Sequence, residues 1–190
     1  MHAWGQVAGL AGLEGHEPAW LDRALNGVLP PDVAVVAAQP APAGFDARRD
    51  ARSRTYCYRV LARAAPNPFE RGRALWWPHR VDEEALEECA RALHGEHDFT
   101  AFTPTRTDHV RFEREVLGAR WARSGDVLEF WIEADAFMRH MVRVLVGTML
   151  AAGGGRLDPD QFGTLLEGAP RSAAGETVHA HGLYLAAVKY

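Results

Sequence analysis

The chain has 190 residues, 47% of them apolar and 24% charged, and a formal net charge of −4. That length gives room for one sizeable domain, or for one domain and part of a second, and the composition is ordinary for a soluble globular protein. No apolar run reaches the roughly 18 residues that span a bilayer, no basic stretch leads into an apolar one as in a secretory signal, and the net negative charge does not advertise a nucleic-acid partner.

In chain order, Trp4 to Leu10 reads as a strand with a glycine at each end. Pro18 to Leu25 reads as a short helix, with Trp20, Leu21, Ala24 and Leu25 at helical spacing. Pro30-Pro31-Asp32 makes a turn, and Val33 to Ala38 an apolar strand. Three such elements are too few to bury a core. Residues 1–42 are therefore expected to be an incomplete N-terminal α/β subdomain, joined through the linker Pro40 to Gly44 to a second α/β subdomain over 43–190. There, Thr55 to Leu61 alternates as a strand, and Leu75-Trp76-Trp77 forms another, stopped by Pro78. Asp82 N-caps a helix running to about Leu93. His94 to Phe102 reads as an irregular connector. Arg111 to Ala122 and Val127 to Glu133 make a hairpin around Ser124-Gly125-Asp126. Phe137 to Ala152 is the most apolar helix, closed by Gly153-Gly154-Gly155 as a C-cap. A helix from Asp158 to Leu166 and a strand from Leu183 to Val188 complete the chain. Strands mixed with helices, without strict alternation, predict an α+β fold with a mostly antiparallel sheet flanked by helices.

Charge is distributed unevenly. Arg48, Arg49, Arg52, Arg54, Arg59 and Arg63 stand close together against only Asp46 and Asp50, while acids gather at Asp82-Glu83-Glu84 and Glu87-Glu88. Lys189 is the only lysine. Guanidinium suits phosphate forks and stacking on bases; a codon bias towards arginine accounts for the overall excess better than for the cluster. Arg143 is the most informative residue, because Met138, Met141, Val142, Val144, Leu145 and Val146 surround it. A guanidinium there lies deep or at a rim, and a deep one needs an anionic partner; the alternative is a snorkelling arginine with its head in water. Tyr56 and Tyr58 share one face of their strand, as core aromatics or as site residues. His94-x-x-His97 and His179-x-His181 lack both the H-E-x-x-H pattern and any cysteine cluster, so no metal is expected. Cys57 and Cys89 give neither a disulfide framework nor a zinc site, and are expected to be reduced, in the cytoplasm.

Six blocks, in order over the whole chain, resemble the tRNA pseudouridine synthase A family. His2-Ala3-Trp4-Gly5-Gln6-Val7 matches the tail of the family's loop G-R-T-D-x-G-V-H-A-x-G-Q-V. Asn26 to Val33 looks like its N-x-x-L-P-x-D-[IV] segment, and Phe45-Asp46-Ala47-Arg48 with Arg54-Thr55-Tyr56-Cys57-Tyr58 like F-x-A-R and R-x-Y-x-Y. His97-Asp98-Phe99-Thr100-Ala101-Phe102, Ala136 to Arg143 and His181-Gly182-Leu183-Tyr184-Leu185 look like x-D-F-x-x-F, x-F-x-x-x-M-V-R and G-L-Y-L. The resemblance implies the pseudouridine synthase fold and isomerisation of uridine in the anticodon stem-loop of tRNA. In that reaction a carboxylate attacks the nucleoside, the glycosidic bond breaks, and the uracil rotates and rejoins through C5. It implies no cofactor and no metal, and a homodimer with RNA in a cleft between subunits. The target base must leave its stack, which calls for an aromatic platform and a basic rim. On the matching positions, Arg143 pairs with the nucleophilic Asp, Tyr56 contacts the base, His2 binds substrate, and Arg48, Arg52 and Arg54 contact phosphates.

The family's nucleophilic Asp falls just ahead of Met1, so the chain is expected to be truncated and to lack it. Arg143 then has no partner, and an unpaired buried charge costs about 3–5 kcal/mol, so an N-terminally extended chain is expected to be more stable. Met1 at the family's Val position fits a GTG codon taken for a start. A genuine fragment that binds RNA without isomerising it, and a degraded gene whose product does not fold, are the alternatives. Arg106-Thr107-Asp108-His109 contains R-T-D, but the Gly and Val-His that follow in the loop are missing, so it is not read as the nucleophile.

Overall fold

The computed structural model describes every residue except Glu14. The chain forms two compact units, Val7–Asp50 and a larger one of Met1–Gln6 with Ala51–Tyr190.

In the smaller unit, α1 (Pro18–Asn26) carries a proline in its first turn, where no intrahelical N–H is needed. None of its residues is buried. Residues 33–38 are not the strand their apolar run predicted. The Asn26 side chain takes both main-chain groups of Val35, donating to its carbonyl at 2.9 Å and accepting from its amide at 2.7 Å. Those groups are what a neighbouring strand would have used, and Val36 stays 90% exposed.

The larger unit is built on seven strands: β1 (His2–Ala3), β2 (Ser53–Leu61), β3 (Leu75–Trp76), β4 (Gly95–Asp98), β5 (Glu113–Ser124), β6 (Val127–Ala134) and β7 (Leu183–Lys189). They lie in the order β1-β7-β2-β6-β5-β4, with β3 beside the end of β2. The β1–β7 and β2–β3 pairs are parallel and the others antiparallel. Three helices accompany the sheet: α2 (Glu83–Ala92), α3 (Met141–Gly153) and α4 (Pro159–Thr164). Tyr58, Val60, Leu128, Phe130 and Ile132 alternate onto one sheet face and share a single core with Leu86 of α2, Leu145 and Met149 of α3 and Phe162 of α4. The α+β class with a mostly antiparallel sheet is as the sequence predicted.

Three details depart from the expectation. Trp4 to Leu10 is not the strand its pattern predicted, and the first strand is His2–Ala3: the amides of Trp4 and Gly5 both turn to the Leu185 carbonyl, at 2.8 and 3.3 Å, which ends the ladder. A side chain on Gly5 would collide with the Ala186 carbonyl there. Residues 94–102 are not irregular. Gly95 to Asp98 pair with Val116 to Glu113, and a 3-10 turn follows at Thr100–Phe102. Gly-Glu-His-Asp has no apolar alternation, so this strand is specified by its partner rather than by its own pattern. Finally, α3 begins at Met141 rather than Phe137, because His140 at φ 64° is left-handed and breaks the helical path.

Elsewhere local chemistry acts as read. The Asp82 carboxylate caps α2 through the amides of Glu84 and Ala85 at 3.0 and 3.3 Å, and Asp158 and Gln161 form a capping box on α4. Cys57 and Cys89 are free and fully buried, and burial pushes each thiol up to about 12, so neither is a ready nucleophile. Among the described residues no helix is long and apolar enough to cross a membrane.

Candidate active site

Helix α3 is apolar all round, the signature of a core helix, and apart from Arg143 and Ala151 its residues are buried. Arg143 is half-buried. Its Nε donates to the Val178 carbonyl at 2.6 Å, and the Val178 amide donates back to the Arg143 carbonyl at 3.4 Å. Among the described residues no carboxylate pairs with Arg143, and its two Nη groups make no hydrogen bond. The anionic partner expected from sequence is thus replaced, in part, by a main-chain carbonyl. Half-exposed and bonded in this way, the guanidinium escapes the full cost of an uncompensated buried charge.

The surroundings are electropositive. Arg139 and His140 immediately precede α3, whose N-terminus adds a positive dipole end and has no acidic residue in its first turn. Burial, then Arg143 and Arg139, holds the His140 imidazole below its ordinary value. A carboxylate or phosphate is the natural occupant of such a pole.

Tyr56 and Tyr58 project from β2 on the side of the sheet that packs against α3. Tyr56 meets Phe137, on the lead-in to α3, edge to face at 4.9 Å and 81°. It is half-buried, and burial raises its phenol, opposed by Arg54. Tyr58 is fully buried and donates to the His179 carbonyl at 2.6 Å. Burial raises its phenol too, and there the opposing charge is Arg143. The two aromatics and Arg143 therefore share one side of the sheet, with Tyr58 the one whose charge environment includes Arg143.

His2 lies on the other side. It pairs in register with Tyr184, and Tyr184 with Cys57, so the pleat turns it away from Tyr56 and Tyr58. Its ring stacks on Tyr184 at 4.6 Å and its Nε2 lies 2.8 Å from the Gly72 carbonyl. Trp4 stacks on the same tyrosine at 4.3 Å and meets Trp131 at 6.0 Å, and Arg120 sits 5.8 Å from the Trp131 ring. Nothing along the chain singles out this aromatic row, because its members come from four separate strands and segments.

The arginines divide. In the smaller unit Arg48 is exposed on a turn organised by Asp46, whose carboxylate accepts from the Arg48 and Arg49 amides at 2.8 and 2.9 Å. The Arg49 amide, then that of Arg48, holds this carboxyl below its usual range. In the larger unit Arg52 is exposed, just ahead of β2. Arg54 is tied down: its Nη1 donates to the carbonyls of Ala51 and Asp135, at 3.0 and 2.7 Å. Asp108 lies in an exposed loop between the 3-10 turn and β5 and makes no ion pair with Arg143. His179 and His181 stack at 5.5 Å, and no group of metal-ligating side chains occurs among the described residues. What sequence reasoning missed here is the pair of carbonyls at Val178 and His179: a main-chain oxygen carries no residue-type signal.

A family model described as tRNA pseudouridine synthase matches residues 89–190. The tRNA pseudouridine synthase A of Bacillus subtilis (strain 168) is 38% identical over 167 residues, covering 88% of this chain and 68% of that protein. Those of Roseiflexus sp. (strain RS-1) and Geobacillus kaustophilus (strain HTA426) are 40% and 38% identical, cover 100% of this chain, and are themselves covered over 71% and 74%. Matches of that identity and extent place the chain in the tRNA pseudouridine synthase family, as a relative of the A-type enzymes.

Proposed function

We propose that the site isomerises uridine to pseudouridine in the anticodon stem-loop of tRNA. The observation that carries this reading is Arg143: tethered by Nε, with both Nη groups uncommitted, in an electropositive pole beside two tyrosines. An arginine so held presents a fork suited to a carboxylate, and it orients the one that attacks the nucleoside. Tyr56, half-buried against Phe137, offers an aromatic face to a uracil taken out of its stack. Arg52 and, in the smaller unit, Arg48, both exposed, meet phosphates, and Arg54 supports the rim from its anchored position, whereas His2, turned to the other side of the sheet, contacts RNA away from the tyrosines. The glycosidic bond breaks, the uracil rotates within the pocket, and the new bond forms at C5. No metal or cofactor enters this scheme. The same reading makes the protein a cytoplasmic homodimer with tRNA between its subunits.

A second reading is a chain that binds tRNA without isomerising it. The specific observation in its favour is that no carboxylate among the described residues pairs with Arg143.

Both readings require recognition of the anticodon arm. In a competition assay against bound tRNA, an isolated anticodon stem-loop should displace it, and Tyr56→Ala should weaken direct binding of that stem-loop by about 1–3 kcal/mol, the worth of one base–aromatic stack. A T-arm or acceptor-stem hairpin that competes equally well would overturn the assignment.

A further inference from the structure

The segment Gly175–His179 lies strapped between α3 and β2 through main-chain groups. At its start the Gly175 amide donates to the Thr148 hydroxyl at 2.9 Å, which in turn donates to the Val144 carbonyl at 2.8 Å. Near its end the Val178 amide and carbonyl clasp the carbonyl and Nε of Arg143. One residue further, the His179 carbonyl accepts from Tyr58, which lies 121 positions earlier in the chain. Consecutive carbonyls of one strap therefore hold the arginine and the phenol.

A buried phenol needs a partner, but the partner could have been any polar atom of the core. At a position calling for aromatic bulk alone, phenylalanine would fill the space with no hydroxyl to satisfy. The hydroxyl goes instead to the carbonyl adjoining the one that anchors Arg143. Tyr184, on the neighbouring strand, sends its hydroxyl to the Arg73 carbonyl, away from the site. The chain stays close just beyond the strap: a side chain on Gly182, in the 3-10 turn that follows it, would lie 2.9 Å from two ring carbons of Tyr58. Burial raises the phenol, so its proton stays on the oxygen and the group remains a donor.

We propose that Tyr58 is a positioning residue of this site: its hydroxyl fixes the His179 carbonyl, with it the adjoining Val178 carbonyl, and so sets where the Arg143 guanidinium points. An arginine stem has many rotamers, and fixing one before a carboxylate arrives removes that ordering cost from the bound state. The use of this device rests on the reading that Arg143 receives the attacking carboxylate; the device itself does not.

The test is hydrogen exchange at the Arg143 Nε–H, followed by NMR on the full 190-residue chain with the resonance identified by its loss in Arg143→Lys. In Tyr58→Phe the exchange should quicken roughly tenfold, the scale of one lost hydrogen bond, while Tyr56→Phe leaves it as in the parent. Placing p-aminophenylalanine at position 58, which restores a donor to the carbonyl, should bring the slow rate back. A merely structural tyrosine would lower the urea midpoint without a selective change at this one resonance. Exchange in Tyr58→Phe equal to that of the parent would overturn the proposal. Should the phenylalanine variant fail to fold, the p-amino variant and Thr148→Val, which frees the far end of the strap, give the same reading: slow exchange in the first and faster exchange in the second support it, and the reverse of either overturns it. The readout needs no turnover, so absent isomerisation counts against the catalytic reading alone, and unchanged exchange against the positioning role alone.

Discussion

Arg143 was legible from sequence as a charged residue in an apolar run, and the structure adds what the run could not contain: the oxygen it bonds. His181 teaches the same lesson from the other side. Its block was readable, but its environment depends on packing. Burial, then His179, holds its imidazole below the ordinary 6.5. The unfolded chain therefore binds more protons than the folded one between the lowered value and 6.5, so stability rises with pH across that window and is lost as pH falls through it. His140 contributes in the same sense. Urea midpoints should fall as pH is lowered below about 6.5, and the fall should be shallower in His181→Asn. A variant whose midpoint tracks the parent's at every pH would show that His181 does not contribute.

Elements were readable in proportion to how strongly their own residues specify them. The β5–β6 hairpin, α2 with its Asp82 cap and the closing strand β7 all carry their signals locally. β4 does not, since four polar or small residues become a strand only because β5 offers its edge. Residues 33–38 fail in the opposite way: an apolar run with strand composition, whose Val35 groups are taken by Asn26. The strap was invisible, because its contacts run through amides and carbonyls and through the closeness two glycines permit. A side chain at Gly147 would collide with the Glu176 carbonyl and meet Val178 at 3.3 Å. Gly147→Ala should therefore destabilise the protein by about 1–3 kcal/mol, the usual cost of overpacking, seen as a lower urea midpoint. An unchanged midpoint would mean that α3 and the strap separate freely.

At the scale of the whole molecule, composition misled where distribution did not. A chain of net charge −4 belongs to a family of tRNA-modifying enzymes, and its arginines are grouped while its acids are placed elsewhere or paired with them, as Arg59 is with Glu70 at 2.8 Å and Glu129 at 3.3 Å. The fold followed from blocks that a reader of the sequence can find, and the face shared by Tyr56 and Tyr58 from their spacing of two along a strand. The position of His2 on the opposite side did not, because it depends on the register of a two-residue strand. The central proposal is that Arg143 holds the carboxylate that attacks uridine. Tritium release from tRNA labelled at C5 of its uridines tests it most directly. Under the isomerase reading, tritium release should be abolished by Arg143→Ala while binding of the labelled tRNA is kept. Release that survives Arg143→Ala, or that is lost in Asp108→Asn, would contradict the account.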